Sequence, residues 1–229
     1  MKSQSMRRVT RFVSEFAVIV VGVLAALSVD SWRDSQIDRG LERRYLEQIV
    51  ADSRENLLLI SEAIALEQRH LNVIENLWRA AQRDVPPSAD SVGAWLDRRD
   101  GSWWYSDPRL RDGTITALAQ TGDFALIRDP RVRSEILGYV SQLQADLEEF
   151  RRGVQVHEEA RTRLGIRGEM GLTPDVSPGS PRAVRLYLAI AGDPEGRAAL
   201  RRLREGYENR IWYLGQIDEA TTELLELLS

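Results

Sequence analysis

An uncharged apolar run occupies residues 16–29, close to the start of the chain. It reads FAVIVVGVLAALSV, and its 14 residues would form about 21 Å of α-helix. Together with their neighbours, residues 12–32 would form about 31 Å of helix, which matches the hydrocarbon thickness of a bilayer. Only Glu15 and Asp30 are ionisable there, and both lie near the ends. The pattern predicts a transmembrane helix over 12–32, with Trp32 at the membrane–water interface.

Two other interpretations of this run stay open. A basic start, an apolar stretch and the small residues Ala26 and Ser28 are typical of a cleaved signal peptide. Apolar runs of this length also occur in buried core helices. Against a signal peptide, Glu15 interrupts the start of the run and the helical pattern continues past Trp32 without a break. We therefore expect an uncleaved N-terminal anchor.

Basic residues on either side of the run predict its orientation. The tail 1–11 carries four Lys and Arg residues, and the stretch from Trp32 to Ile49 carries four that are more widely spaced. Because Lys and Arg favour the cytoplasmic side, we expect the tail in the cytoplasm and residues 33–229 on the other side of the membrane. The absence of cysteine is compatible with an oxidising compartment and does not require one.

Small residues within the run favour association between membrane helices. Gly22 and Ala26 lie four residues apart, with Ala25 beside them. This spacing allows two helices to approach closely, although small residues are also common in membrane helices that stay apart. The three residues are candidates for transmembrane packing in a homo-oligomer.

The remainder of the chain shows apolar positions at helical spacing. Asp129-Pro130, Ser180-Pro181 and Asp193-Pro194 each place a capping residue before a proline, which is typical of a helix start. No segment alternates like a strand, so we predict an all-α fold: a transmembrane helix continuing into an extramembrane bundle of three long and several short helices. The predicted helices cover residues 33–83, 92–98, 113–121 with Gly122 as a stop, 130–164, 181–192 and 194–228.

Two interruptions of the helical pattern carry aromatic residues. Residues 123–127 predict a short extended link with Phe124, Leu126 and Ile127 buried. Residues 100–108, DGSWWYSDP, predict a loop that bears the adjacent aromatics Trp103, Trp104 and Tyr105, with Arg109 directly after it. Adjacent aromatics either bind a ligand or partner, or fill the end of a bundle. Trp103, Trp104, Tyr105 and Arg109 are therefore the candidate ligand or partner contacts, with an anionic ligand beside the rings conceivable.

Charge and chemistry exclude several functions. The net charge is −4 for the whole chain and −7 without residues 1–29, so binding to nucleic acid is not expected. No cysteine is present, which excludes thiolate catalysis and thiolate metal sites. Glu67-x-x-His70 matches one unit of a di-iron bundle site, but Val154 precedes His157 where the second unit needs glutamate. We predict no metal site, no cofactor and no enzymatic activity, and a solvated or capping role for His70.

A glutamate-led apolar segment ending in tryptophan, followed by a charged helix, occupies the N-terminal part of the chain, up to position 60. The residues concerned are Glu15, Ile19, Val20, Val21, Gly22, Leu24, Ala26 and Trp32, then Tyr45, Leu46, Asp52 and Asn56. This segment resembles an uncharacterised bacterial family of single-pass membrane proteins, a domain of unknown function; residues 121–133 resemble the family's later Gly-x-hydrophobic segment. That family often has an Asn pair before the Trp, where this chain has Asp30-Ser31. The resemblance implies a membrane anchor and a helical domain, and no catalytic residue.

These patterns predict a single-pass protein of a bacterial inner membrane with a periplasmic bundle. Its expected role is interaction or scaffolding, and its expected partners are the lipid bilayer, a second copy or another membrane protein. The alternative is an extracytoplasmic ligand-sensing bundle that signals through a partner, since the tail 1–11 is too short for an output domain. A pocket at Trp103, Trp104 and Arg109 would favour sensing, and an exposed apolar stripe over 200–228 would favour a partner.

Overall fold

A computed structural model of the chain describes residues 2–83, 88, 90–92, 105–163 and 181–228. Side chains are described from Ile19 onwards within these ranges, except at positions 161, 182, 183 and 186. The described residues contain helices, turns and irregular segments and no β-strand, which confirms the predicted all-α class.

The helices follow the predicted boundaries closely. They are α1 (Lys2–Ala81), α2 (Gly113–Thr121), a 3₁₀ helix (Asp123–Leu126), α3 (Pro130–Arg163), α4 (Pro181–Gly192) and α5 (Pro194–Leu228). Of the short helix predicted over 92–98, only its first position belongs to the described residues, and residues 90–92 are helical.

Side-chain caps explain why α3 and α5 begin where they do. Asp129 Oδ1 accepts hydrogen bonds from the backbone N–H groups of Arg131 and Val132, at 2.8 and 3.4 Å. The Asp193 carboxylate accepts from the N–H groups of Glu195 and Gly196, at 3.3 and 3.1 Å. Each aspartate satisfies N–H groups that the first turn leaves without a partner, and the proline that follows needs none.

The segment after α2 differs from the extended link predicted for it. Gly122 ends α2 with φ +77°, the left-handed conformation that favours glycine, as predicted. The chain then forms the 3₁₀ helix rather than an extended link, and only Ile127, after the helix, has an extended backbone. Ile127 is fully buried, whereas Phe124 and Leu126 are half-buried. The prediction failed because one turn of 3₁₀ helix is too short to show a periodicity.

The first helix runs without a break through the apolar run and into the bundle. α1 has 80 residues, which corresponds to about 120 Å. Between Ile19 and Gln48 no side chain is buried, and Ile49 is the first that is. The apolar run is exposed in this part of the helix: Val21 is 65 % exposed and Leu27 is 59 % exposed. No helix among the described residues is both long enough and apolar enough to cross a membrane.

The bundle is organised around α5, which packs against both α1 and α3. The apolar stripe of α5 is buried in these contacts at Leu200, Leu203, Tyr207, Leu214, Ile217 and Leu224. The stripe over 200–228 therefore holds the bundle together, and it offers no continuous exposed surface to a partner.

Candidate functional site

A layer of buried polar side chains separates two apolar cores. One core contains Leu71 and Ile74 of α1 with Leu200 and Leu203 of α5. The other core is built from different turns of the same helices, and from segments 115–127 and 136–150. Its members are Ile49, Ile60, Ala63, Ile115, Leu118, Ile127, Ile136, Tyr139, Leu143, Phe150, Leu214, Ile217 and Leu224. The polar layer lies between them in sequence on each long helix, at Glu67 and His70, at His157, and at Arg210.

The centre of this layer is an ion pair between Glu67 and Arg210. Both side chains are fully buried, with no exposed surface. Glu67 Oε2 accepts hydrogen bonds from Arg210 Nε at 3.0 Å and from Arg210 Nη2 at 2.9 Å. Glu67 Oε1 accepts from the backbone N–H of Ser106 at 2.5 Å and from its hydroxyl at 2.7 Å. The carboxylate therefore has four donors, which offset the cost of burying its charge.

Two glycines leave room for the Arg210 side chain between α3 and α5. A Cβ atom on Gly153 would lie 3.1 Å from Arg210 Cγ, and one on Gly206 would lie 3.5 Å from Arg210 Nη1. Arg210 Nη1 also donates to the carbonyl oxygen of Gly153 at 3.3 Å. The guanidinium carbon lies 4.5 Å from the centre of the Tyr207 ring, a cation–π contact. These contacts fix the arginine within the polar layer.

Both histidines are buried in the same layer. His157 Nδ1 lies 3.5 Å from Arg210 Nη2, so this nitrogen is the acceptor. The His157 ring packs edge-on against Tyr207 and Tyr105, with ring centres 5.1 and 5.7 Å apart. His70 packs against Tyr207 at 5.9 Å and is only 4 % exposed. The solvated or capping role predicted for His70 is therefore wrong: it sits on the helix face that turns inward.

The polar layer connects three helices and the chain before α2. The Glu67 carboxylate and the Arg210 guanidinium bind each other and the backbone, and the clefts beside residues 107–112, 131–142 and 39–54 are lined by other residues. Among the described residues, no group of three or more His, Asp and Glu side chains could hold a metal ion. Glu67 and His70 share α1, but the Glu67 oxygens contact Arg210 and Ser106.

Side chains of α1 also hold the irregular segment 105–112, hereafter the strap. Ser106, near its first end, is bound by Glu67. Near its other end, Asn56 Nδ2 donates to the carbonyl oxygen of Arg111 at 3.0 Å and Asn56 Oδ1 accepts from the Arg111 N–H at 2.7 Å. The side-chain amide of Asn56 thus binds the N–H and C=O of Arg111 as the backbone of a neighbouring strand would. The strap is held at two points by side chains from one rigid helix.

The region after the strap is attached to α1 in the same way. Thr114 donates its hydroxyl to Asp52 Oδ2 at 2.5 Å, and Glu42 Oε1 accepts the N–H of Arg128 at 2.7 Å. The Tyr45 hydroxyl donates to Asp123 Oδ2 at 2.9 Å. This hydrogen bond raises the pKa of Tyr45 above its ordinary value, because losing the proton would leave a phenolate beside a carboxylate.

A cleft of about 260 Å³ lies between the strap and α3. The strap contributes Asp107, Arg109, Leu110 and Asp112 to its walls, and α3 contributes Phe150 and Arg151. Two positive and two negative side chains therefore surround an apolar floor. The cleft lies below the lower limit of about 300 Å³ that is typical of sites for drug-sized ligands.

The residues predicted as ligand, partner or membrane-packing contacts do not lie together in the structure. Tyr105 is half-buried against His157, and Arg109 is exposed at the cleft. Trp103 and Trp104 lie outside the described residues. Gly22, Ala25 and Ala26 are exposed on α1, and a Cβ on Gly22 would meet no atom within 4 Å.

Glu67 and Arg210 were missed as a pair, although the sequence contains a signal for each. Glu67 stands at helical spacing between the apolar Ala63 and Leu71, and Arg210 stands between Tyr207 and Leu214. A charged residue at a core position is rare unless it is paired. An acidic and a basic residue at core positions of two different helices are therefore a signal from which a buried ion pair could have been predicted.

Comparison of the chain with models of protein families, with characterised proteins and with solved structures finds no match. The resemblance in the N-terminal part of the chain therefore remains a prediction.

Proposed function

We propose that this chain is a membrane-anchored helical scaffold, with residues 12–32 in the bilayer of a bacterial inner membrane and the bundle in the periplasm. The observation that carries the proposal is the exposed apolar surface of α1 from Ile19 to Trp32, where Ile19 is 64 % exposed and Trp32 is 63 % exposed. A continuous apolar surface of this kind requires a cover. The uncharged run 16–29 and its basic tail favour lipid as that cover.

The continuity of α1 supports a scaffolding role. Residues 33–44 carry no buried side chain, and the bundle contacts this stretch through Arg128, which donates hydrogen bonds to the Ser35 carbonyl oxygen and to Glu42. Because the same helix then forms one wall of the bundle, the position of the bundle would be set by the anchor. A second copy or another membrane protein would then meet the bundle in a fixed orientation.

The anchor is tested by carbonate extraction and by flotation with vesicles, using the full chain. We expect the wild type to stay with the membranes and Leu24→Arg to be partly released. A charge at the centre of a membrane helix opposes insertion by about 2.5–3.5 kcal/mol. Leu58→Arg is the matched control, because Leu58 is on the same helix, 67 % exposed, and outside the anchor.

Release of the wild type by carbonate, or equal effects of the two arginine variants, would contradict the anchor. The orientation is tested separately by labelling with a membrane-impermeant maleimide. The chain has no cysteine, so Ser3→Cys and Ser88→Cys each give one labelled position. In spheroplasts we expect label at position 88 only.

The cleft beside the strap favours a second candidate function, ligand sensing on the periplasmic side. Arg109, predicted as a ligand contact, lies on its wall. The strap is connected through Ser106 to Glu67 and through Arg111 to Asn56 of α1, the helix that would enter the membrane. A change in the strap would therefore act directly on the anchor helix.

A further inference from the structure

We propose that the cleft between the strap and α3 binds a free α-amino acid with an apolar side chain. The inference rests on the second candidate function above, ligand sensing, and assigns the class of ligand. It is carried by the charges on the walls, by an aspartate that does not cap its helix, and by the apolar floor.

The walls carry charges of both signs that no ion pair between described residues neutralises. Arg109 and Asp107 come from the strap, and Arg151 comes from α3. In the part of the chain that the structure describes, none of these three forms a salt bridge or a side-chain hydrogen bond. Their neighbours do: Arg111 binds Glu55 at 2.5 Å, and Arg152 binds Glu149 at 2.6 Å. Charges of both signs fit a ligand that has a carboxylate and an ammonium group.

Asp112 supplies an independent observation. It is the N-cap residue of α2, where an aspartate side chain normally accepts an N–H of the first turn. Here it makes no such bond, and it borders the cleft instead. A polar residue that gives up a local stabilising contact is expected at a binding site. Its carboxylate is the acceptor that we assign to the ligand's ammonium group.

The apolar floor of the cleft is the reason why we expect the bound amino acid to have an apolar side chain. Leu110 and Leu147 are half-buried and Phe150 is buried, and all three border the cleft. A branched or aromatic side chain of the ligand would remove this apolar surface from water. The volume of about 260 Å³ limits the ligand to a single amino acid or a molecule of similar size.

The strap holds its half of the site in position before any ligand arrives. Glu67 and Asn56 fix Ser106 and Arg111 on either side of Arg109. The other half lies on α3, which packs against α5. Binding therefore needs little ordering of the chain, which limits the entropic cost of association.

The test uses the full chain in lipid nanodiscs and measures the binding of L-leucine and L-phenylalanine by calorimetry. The comparison compounds are 4-methylpentanoate, which lacks the ammonium group of leucine, and isopentylamine, which lacks its carboxylate. We expect at least one of the two amino acids to bind, and both comparison compounds to bind about fivefold more weakly or not at all.

Two variants locate the site. Arg151→Gln and Asp112→Asn should each weaken binding by about fivefold, since each removes one charge from the wall. Asparagine is also a good N-cap residue, so Asp112→Asn keeps α2 intact. Arg152→Gln is the matched control: it removes a neighbouring arginine outside the cleft and should leave binding unchanged.

Absence of binding by both amino acids would overturn the proposal, and so would equal binding of 4-methylpentanoate and leucine, which would indicate an anion site only. An equal effect of Arg151→Gln and Arg152→Gln would place binding elsewhere. Flotation of the same preparations tests the anchor independently, so failure of the ligand proposal is distinguishable from failure of the membrane proposal.

Discussion

At the scale of the residue, the ion pair between Glu67 and Arg210 is the most constrained feature of the bundle. Neither side chain has exposed surface, and each charge is compensated by the other. Removing one partner of a buried pair leaves an uncompensated charge and costs about 3–5 kcal/mol, whereas replacing both by apolar residues is often neutral. The pair therefore specifies how the helices are aligned more than it adds to stability.

This asymmetry predicts the outcome of a double-mutant cycle. We expect Arg210→Met to lower the free energy of unfolding by about 3–5 kcal/mol, because it leaves Glu67 charged and buried. Glu67→Leu combined with Arg210→Met should cost much less than the sum of the single changes. Urea unfolding of the full chain in mild detergent, followed by circular dichroism, measures both. Additive costs would show that the two side chains act independently.

The glycine beside Arg210 gives a second prediction. Gly153→Ala places a Cβ 3.1 Å from Arg210 Cγ, so the arginine must move and the variant should lose about 1–3 kcal/mol. Gly138→Ala is the control on the same helix, where a Cβ would meet nothing within 4 Å. There alanine should stabilise the helix by up to about 1 kcal/mol. If Gly153→Ala and Gly138→Ala both raise the free energy of unfolding in urea, the close contact between position 153 and Arg210 does not destabilise the alanine variant, and the prediction is wrong.

At the scale of the element, polar side chains of α1 hold the strap and the short helices that follow it. Glu42, Tyr45, Asp52, Asn56 and Glu67 each bind the chain between Ser106 and Arg128. The helix α1 thereby determines the course of residues 106–128, which comprise most of the strap, α2 and the 3₁₀ helix.

The bond from Asn56 to Arg111 tests this attachment. Asn56→Leu removes both hydrogen bonds to the Arg111 backbone and should raise hydrogen exchange in the strap, with a loss of about 1–3 kcal/mol in its local stability. Asn72→Leu is the control on the exposed face of α1, where among the described residues the Asn72 side chain accepts one hydrogen bond, from Gln68 Nε2 at 3.4 Å. Equal protection of the strap in both variants would contradict the attachment.

At the scale of the whole molecule, the two ends of α1 have different surroundings within the described chain. Its second half is a wall of the bundle, and its first half presents apolar residues that nothing in the described chain covers. A second copy would meet this half through Gly22 and Ala26 if the anchor associates in the bilayer. The bundle would then be duplicated on the same side of the membrane.

Association through the anchor gives the last prediction. Gly22→Leu should weaken self-association, measured by crosslinking in intact membranes, because the larger side chain holds the helices apart. A side chain at Gly22 meets no atom of its own chain within 4 Å, so the variant should fold as the wild type does. Val20→Leu is the control, because it places a leucine in the same run on the face of the helix opposite Gly22. An unchanged dimer signal in Gly22→Leu would argue against packing at this position.

The sequence alone indicated α2 to α5 and the course of α1, but not the 3₁₀ helix over Asp123–Leu126. Apolar spacing and the Asp-Pro pairs placed α3 and α5 to within one residue, because caps and amphipathic patterns are local properties of the chain. The sequence also indicated the apolar run and predicted Arg109 as a possible ligand contact. The cleft between the strap and α3 was not predictable, since Arg109 and Arg151 lie far apart in the chain and border the same cleft only because the strap packs beside α3.

Only the tertiary structure decided which polar residues are buried and how they pair. Glu67 and Arg210 are separated by 143 positions, and Asn56 and Arg111 by 55. A charged residue on a helix is as compatible with a solvated face as with a buried pair until the partner helix is in place. The burial of His70, likewise, depends on Tyr207 of α5 lying across from it. Local patterns fix elements, whereas the energy of a buried charge depends on what surrounds it in space.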